Sequence, residues 1–169
     1  VIAWYAQRGN LLSRSSAERD QGCKSLLRSL EIAGILGVDG VLLHPGQLGA
    51  EGTYEEAWDN LRDLLKEAAQ AAAANNAVIG LENVWNKFLL SPKEMREIID
   101  EIDSEWVGAY LDTANMMAYG YPEQWIRDRG ARIKRVHFKD FNRREHRFVN
   151  LLDGDTDWST VVAELRQAG

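Results

Sequence analysis

Apolar residues recur along the chain in two alternating periods. Short, nearly continuous apolar runs at residues 1–5, 38–44, 78–83, 107–112 and 133–139 predict buried strands. Longer stretches between them carry apolar side chains at helical spacing. Residues 16–37 place Leu26, Leu27, Leu30, Ile32, Ala33 and Leu36 along a helix, with Gly37 as its stop. Residues 54–74 place Trp58, Leu61, Leu64, Leu65 and Ala68 on one stripe, and Asn75 with Asn76 breaks the pattern. A third helix opens at Ser91-Pro92-Lys93-Glu94. Ser91 suits the N-cap, Pro92 the first helical position and Glu94 the reciprocal capping position. A fourth starts at Pro122 and runs through Ile126, and Asp157 caps a last one through Leu165. Residues 148–152 are a candidate short sixth strand.

Alternation of strands with helices implies parallel pairing through right-handed crossovers. A (β/α) barrel and an open doubly wound sheet both satisfy it. Polar residues at the strand ends favour the barrel. Glu82, Asp112 and His137 each stand at or near the C-terminal end of a separate apolar run. Barrel strand ends ring one mouth, so side chains from several strands meet there, whereas in an open sheet they form a line. No glycine-rich phosphate loop follows the first strand, which weakens a dinucleotide-binding reading.

Composition narrows the function further. The 169 residues suit one domain spanning residues 1–169. A net charge of −6 disfavours a protein that grips nucleic acid by charge alone. Cys23 is the single cysteine, which excludes an intrachain disulfide and a cysteine-rich zinc site and fits a reducing, cytoplasmic setting. No apolar run approaches the roughly 20 residues of a membrane span, and no secretory signal is visible. The sequence opens at Val1 and not at Met, so the gene's true start is expected to lie elsewhere.

The candidate chemistry lies in the polar strand ends. Alone, Glu82 could cap a helix, Asp112 could cap the turn that follows it, and His137 could be a satisfied core histidine. Together, two carboxylates and an imidazole on three successive strands make a mixed oxygen and nitrogen set. Such a set suits Mn²⁺, Mg²⁺, Co²⁺ or Zn²⁺, with open positions for water or substrate. His44, Asn83 and Asn115 are candidate substrate contacts, and His44 could instead serve a second metal. Arg143 and Arg147 follow the histidine strand, where guanidinium groups could hold a phosphate; a solvated charged loop is the plainer reading. Trp4, Trp85 and Phe88 are candidates for an apolar wall, against a simple core role.

These residues carry a resemblance. Leu-Glu-Asn-Val-Trp-Asn at 81–86, Tyr-Leu-Asp-Thr-Ala-Asn at 110–115, Val-His-Phe-Lys-Asp at 136–140 and Leu-Leu-Asp-Gly-Asp-Thr-Asp-Trp at 151–158 resemble the xylose isomerase-like TIM-barrel superfamily. Within it, the chain is similar to the sugar phosphate isomerase/epimerase group, hexulose-6-phosphate isomerase-like or ketose 3-epimerase-like. The resemblance implies a (β/α)8 TIM barrel, here truncated to about strands 2–7. It implies one divalent metal ion held by Glu82, Asp112 and His137, with a fourth ligand, a second Glu, that has no counterpart here. The metal would polarise a ketose and two carboxylates would move protons at carbon, of which Glu82 matches one and the second Glu is the other. The 169 residues alone are then expected to have little or no activity. The implied partner is a small-molecule sugar or sugar phosphate, with neither nucleic acid nor membrane. A homo-oligomer is also expected, because a gap between residues 1–5 and the strand near 148–152 would leave open edges that invite pairing. Two other readings compete. An endonuclease IV-like abasic-site nuclease shares the barrel and the His-Pro-Gly at His44, but Asn115 stands where it has a ligand histidine. A non-catalytic barrel fragment is the third.

Overall fold

The apolar runs pair side by side. The computed structural model describes residues 1–4 and 9–169. Its main sheet is parallel and follows chain order: β1 (Ile2–Trp4), β2 (Gly40–Leu43), β3 (Val78–Glu82), β4 (Val107–Asp112) and β5 (Ile133–His137). Helices α1 (Ser16–Leu36), α2 (Tyr54–Ala74), α3 (Pro92–Ile102) and α4 (Pro122–Arg129) connect successive strands. This repeated strand–helix unit is that of a barrel wall. Tyr5, expected at the end of the first strand, and the Trp4 side chain, expected in an apolar wall, lie outside what is described.

Strand pleating sorts the side chains into two layers. Val41 and Leu43, Ile79 and Leu81, and Val107 and Ala109 face the helices and are buried. There they meet Leu26 and Leu30 of α1, Leu61 and Leu65 of α2, and Ile98 and Ile102 of α3. Each fully buried Leu or Ile in this layer contributes roughly 1.5–3 kcal/mol. Local signals agree with the packing. Thr53 with Glu56 and Ser91 with Glu94 both close reciprocal capping boxes. Leu36, read as part of the buried stripe, is exposed. The buried line of α1 runs through Gly22, Leu26, Leu30 and Ala33 and ends there, one turn before the Gly37 C-cap, which leaves Leu36 exposed in the last turn.

The predicted sixth strand is placed differently. Strand β6 (Asp140–Asn142) and β7 (Arg147–Val149) form a separate antiparallel hairpin, with Phe141 opposite Phe148. The short turn between them suits a hairpin, whereas a parallel crossover needs about a dozen residues. Among the described residues, β5 and not the segment near 148–152 therefore ends the parallel sheet. Helix α5 (Trp158–Ala168) follows, capped by Asp157, and buries Val161 against Trp125 and Ile126.

Candidate metal centre

Strand register brings the three polar strand ends together. Glu82 stands opposite Tyr110, and Asp112 stands opposite His137. Opposed residues in parallel strands share a face, and so do residues two apart on one strand. Glu82, Tyr110, Asp112 and His137 therefore point to one side, where they line a cavity of about 490 Å³ with Ala3, Leu42, Asn115 and Lys139. The register between β4 and β5 is irregular. Ala109 pairs with Ile133, but Tyr110 pairs with Arg135, so β5 holds one extra residue, Lys134. Continued without that bulge, the pairing would set Asp112 opposite Val136 and turn His137 to the other face.

One ligand atom from each of Glu82, Asp112 and His137 lies within 4.8 Å of the others. His137 Nδ1 is 3.0 Å from Glu82 Oε1 and 3.8 Å from Asp112 Oδ2. The two carboxylates are buried, while the His137 side chain is 47% exposed and forms the solvent side of the group. Burial pushes the Glu82 carboxyl above its ordinary range. The neighbouring Asp112 charge adds to the rise, and the hydrogen bond with His137 opposes it.

Asp112 supplies a test of whether these residues suit a cation. Its Oδ1 accepts the backbone N–H groups of Ala114 and Asn115, both at 2.9 Å. Its Oδ2 is buried, faces Glu82 and His137, and has no hydrogen-bond partner. Lys139 Nζ lies 3.2 Å from that oxygen, close enough for an ion pair but not aligned as a hydrogen bond. A buried carboxylate oxygen without a hydrogen-bonded donor is costly unless a cation neutralises it. The donor set therefore fits a divalent ion bound through oxygen and nitrogen.

A frame of amides fixes these groups. Asn83 donates to the Asp112 carbonyl and accepts from the Asp112 N–H, at 2.9 and 2.8 Å. Asn115 Nδ2 donates to the Asn83 carbonyl at 2.8 Å, and its Oδ1 accepts from Lys139 Nζ at 3.1 Å. Asn83 thus brackets the ends of β3 and β4, and Asn115 faces the cavity. Two residues that the sequence reading did not single out complete the frame. The Thr113 hydroxyl donates to the Lys139 carbonyl at 2.7 Å and accepts the Lys139 N–H at 2.9 Å. Asp140, which is buried, accepts from the backbone N–H groups of Phe141, Leu152, Gly154 and Thr156, from the Thr156 hydroxyl and from the Trp158 indole. Burial pushes the Asp140 carboxyl up, but these donors outweigh it and hold it below its ordinary range. The Lys139-Asp140 pair beside Thr156-Asp157-Trp158 was the available signal.

The remaining candidates lie apart from the cavity. His44 Nδ1 accepts the Gly46 N–H at 3.1 Å, which leaves the ring proton on Nε2. Burial pushes its pKa down, so the ring stays neutral. Arg143 donates to the carbonyls of Met117 and Gly120 and lies 4.7 Å over the Tyr121 ring, so it fastens the loop after β4. Arg147 pairs with Glu145 at 2.5 Å, and its side chain is 63% exposed. The two guanidinium groups do not converge on the cavity. Trp85 stacks on Phe148 with 5.2 Å between ring centroids, and its indole donates to the Asn115 carbonyl. Phe88, expected in the same wall, is instead buried against Tyr54 and Trp58. The loop after β3 turns it toward the helices and away from the mouth.

The family profile for the xylose isomerase-like TIM barrel matches residues 1–169. L-ribulose-5-phosphate 3-epimerase UlaE of Shigella flexneri is 23% identical over 164 residues, 96% of this chain and 58% of that protein. Uncharacterized protein MJ1311 of Methanocaldococcus jannaschii is 26% identical over 137 residues, 76% of this chain and 47% of that protein. The chain thus spans about half the length of the curated relatives it matches. Among solved structures, a D-tagatose 3-epimerase-like protein superposes with a TM-score of 0.86 at 24% identity, covering 97% of this chain and 64% of its own. The IOLI protein, crystallised with a zinc atom, superposes with a TM-score of 0.81 at 19% identity, covering 100% of this chain and 63% of its own. At these identities the superpositions speak to the fold.

Proposed function

We propose that this chain, which belongs to the xylose isomerase-like TIM-barrel family, is the metal-holding part of an isomerase or epimerase acting on a ketose or ketose phosphate. The observation that carries the reading is the convergence of Glu82, Asp112 and His137 on one buried, partly unsatisfied carboxylate oxygen at adjacent strand ends. These three residues would hold the divalent ion. When bound, such an ion supplies Lewis-acid polarisation of the sugar's carbonyl and neighbouring hydroxyl.

The chain's own residues account for the rest of the half-reaction. Glu82 takes the proton from the carbon beside the carbonyl. The carbon–hydrogen electron pair forms a double bond to the carbonyl carbon, and the carbonyl π pair moves onto its oxygen, giving an enediolate. Lys139 and Asn115, on the cavity wall, bind and orient sugar oxygens. A second acid returns a proton to carbon, and the family pattern assigns that step to a glutamate with no counterpart among these residues.

The test is solvent-deuterium exchange into a panel of ketoses and ketose phosphates, followed by NMR with Mn²⁺ present. Deuterium should enter at the carbon next to the carbonyl, and Glu82→Gln should abolish it. Tight Mn²⁺ binding with no exchange into any member of the panel would sink the reading.

A further inference from the structure

Among the described residues, Lys139 is the one lysine or arginine paired with the three converging groups, and it sits on the atom where an ion would bind. Its ammonium is 3.2 Å from Asp112 Oδ2, the oxygen that faces Glu82 and His137. Oδ1 of the same carboxylate is already held by two backbone amides. We infer that Lys139 is a resident counter-cation that holds Asp112 Oδ2 until a divalent ion takes its place, so that ion binding and displacement of the Lys139 ammonium are a single coupled event. The inference rests on the reading of this site as a metal centre.

Charge and geometry both support the exchange. A lysine ammonium and a divalent ion on one carboxylate oxygen repel each other at contact distance, and the buried setting weakens the screening between them. The root of the side chain is fixed, because Thr113 bonds both the N–H and the carbonyl of Lys139. The side chain itself is 39% exposed and so has room to swing. A resting place is already formed: Nζ is 3.1 Å from Asn115 Oδ1 and 4.0 Å from the centroid of the Phe148 ring. There the ammonium keeps an acceptor and a cation–π contact and still faces the cavity. The lysine thereby lowers the affinity for the ion while keeping Asp112 from being a buried, unpaired charge.

The experiment is calorimetric titration of the purified, chelator-treated protein with Mn²⁺ at fixed pH and ionic strength. Lys139→Met should bind Mn²⁺ roughly 10- to 100-fold more tightly than the unaltered protein, the range expected for removing one charge-assisted contact. Lys139→Gln, which keeps a donor for Asn115, should shift in the same direction and guards against a folding defect in the methionine variant. Lys139→Arg keeps the charge and should stay within about threefold of the unaltered protein. A second readout is independent of the titration: the rise in Tm on saturation with Mn²⁺ should be larger in Lys139→Met. Unchanged or weaker binding in both Lys139→Met and Lys139→Gln would overturn the inference while leaving the metal centre standing, as would equal tightening in Lys139→Arg. Absence of Mn²⁺ binding in every form would overturn both.

Discussion

Replacing Asp112 with asparagine changes one oxygen into an amide nitrogen and leaves the shape of the site intact. Asparagine can keep Oδ1 in place as the acceptor for the Ala114 and Asn115 amides. The new NH₂ group then occupies the Oδ2 position, where it faces Lys139 at a distance of 3.2 Å in the present arrangement. Two effects on stability oppose each other. The ion pair with Lys139 is lost, at about 1 kcal/mol for a partly exposed partner. The like charge beside Glu82 is also removed, which relieves part of the upward pressure on that carboxyl. The net change should stay within about 1 kcal/mol, or a Tm shift of no more than roughly 4 °C for a chain of this size. Metal affinity should respond far more. Loss of residues that merely orient a ligand costs about 10–100-fold, so loss of an anionic ligand should cost at least about 100-fold. Asn115→Ala removes the donor to Asn83 and the acceptor for Lys139 but no charge. Its loss should fall at the low end of the outer-shell range, about tenfold, because no charge and no ligand is removed. Calorimetric titration with Mn²⁺ reads both. Equal losses in the two variants, or a Tm fall in Asp112→Asn well beyond the stated range, would refute the assignment of Oδ2 as a ligand.

Other features of the molecule yield sharper tests of the frame than of the chemistry. Tyr54 donates to Glu94 and accepts the Leu89 N–H, and burial with the Glu94 bond pushes its phenol up to about 12. The folded state thus keeps this proton longer than the unfolded one, so the contribution is complete below pH 10 and is lost as the pH rises toward 12. An ultraviolet pH titration should lose its latest-ionising tyrosine in Tyr54→Phe, with a loss of about 1–2 kcal/mol in urea unfolding at neutral pH. Asp140→Asn leaves one oxygen to serve donors that now share two, and should cost about 3 kcal/mol or more. Hydrogen exchange should speed up at Leu152 and Gly154, and unchanged protection there would contradict the clamp. Gly80→Ala would place a Cβ 2.9 Å from the Tyr110 ring, directly below Glu82. It should cost about 1–3 kcal/mol by overpacking, and a structure with Tyr110 unmoved would show that the interior has slack.

Much of this architecture could be read from the chain because the relevant signals were local and agreed with one another. The helix at Tyr54–Ala74 matched its apolar stripe at both ends, and the Ser91 capping box formed as written. Glu82, Asp112 and His137 stood out because each ends an apolar run, where a polar group needs a reason. Lys139 did not stand out, because a lysine at the last position of a predicted strand reads as a solvated residue. Its partners, Asp112 and Asn115, lie 27 and 24 residues away in the sequence. Asn83 looked like a substrate contact, and its bracketing of β3 and β4 depends on a register that composition does not specify. Phe88 and Phe148 illustrate the same limit. Both are aromatic residues in loop-rich stretches, and only the path of the backbone sends one into the core and the other to the mouth.

The bulge in β5 is the decisive non-local feature, and it does leave a trace in the sequence. A half-buried strand repeats its apolar face every second residue. In Ile133-Lys134-Arg135-Val136-His137 the apolar residues are instead an odd number of positions apart. Both nevertheless pair with residues of the helix-facing layer, Ile133 with Ala109 and Val136 with Leu111. One inserted residue between them is the way to reconcile an odd spacing with one face, and Lys134 is that residue. Gly108 on the neighbouring strand leaves room for it, since a Cβ there would lie 2.5 Å from both the Arg132 carbonyl oxygen and Lys134 Cγ. The shift carries His137 onto the face of Asp112 and Glu82, which an unbulged strand would have given to Val136. The imidazole thus reaches the site through an irregularity two to three residues upstream of it. The odd apolar spacing and the facing glycine are the pair of signals that mark it.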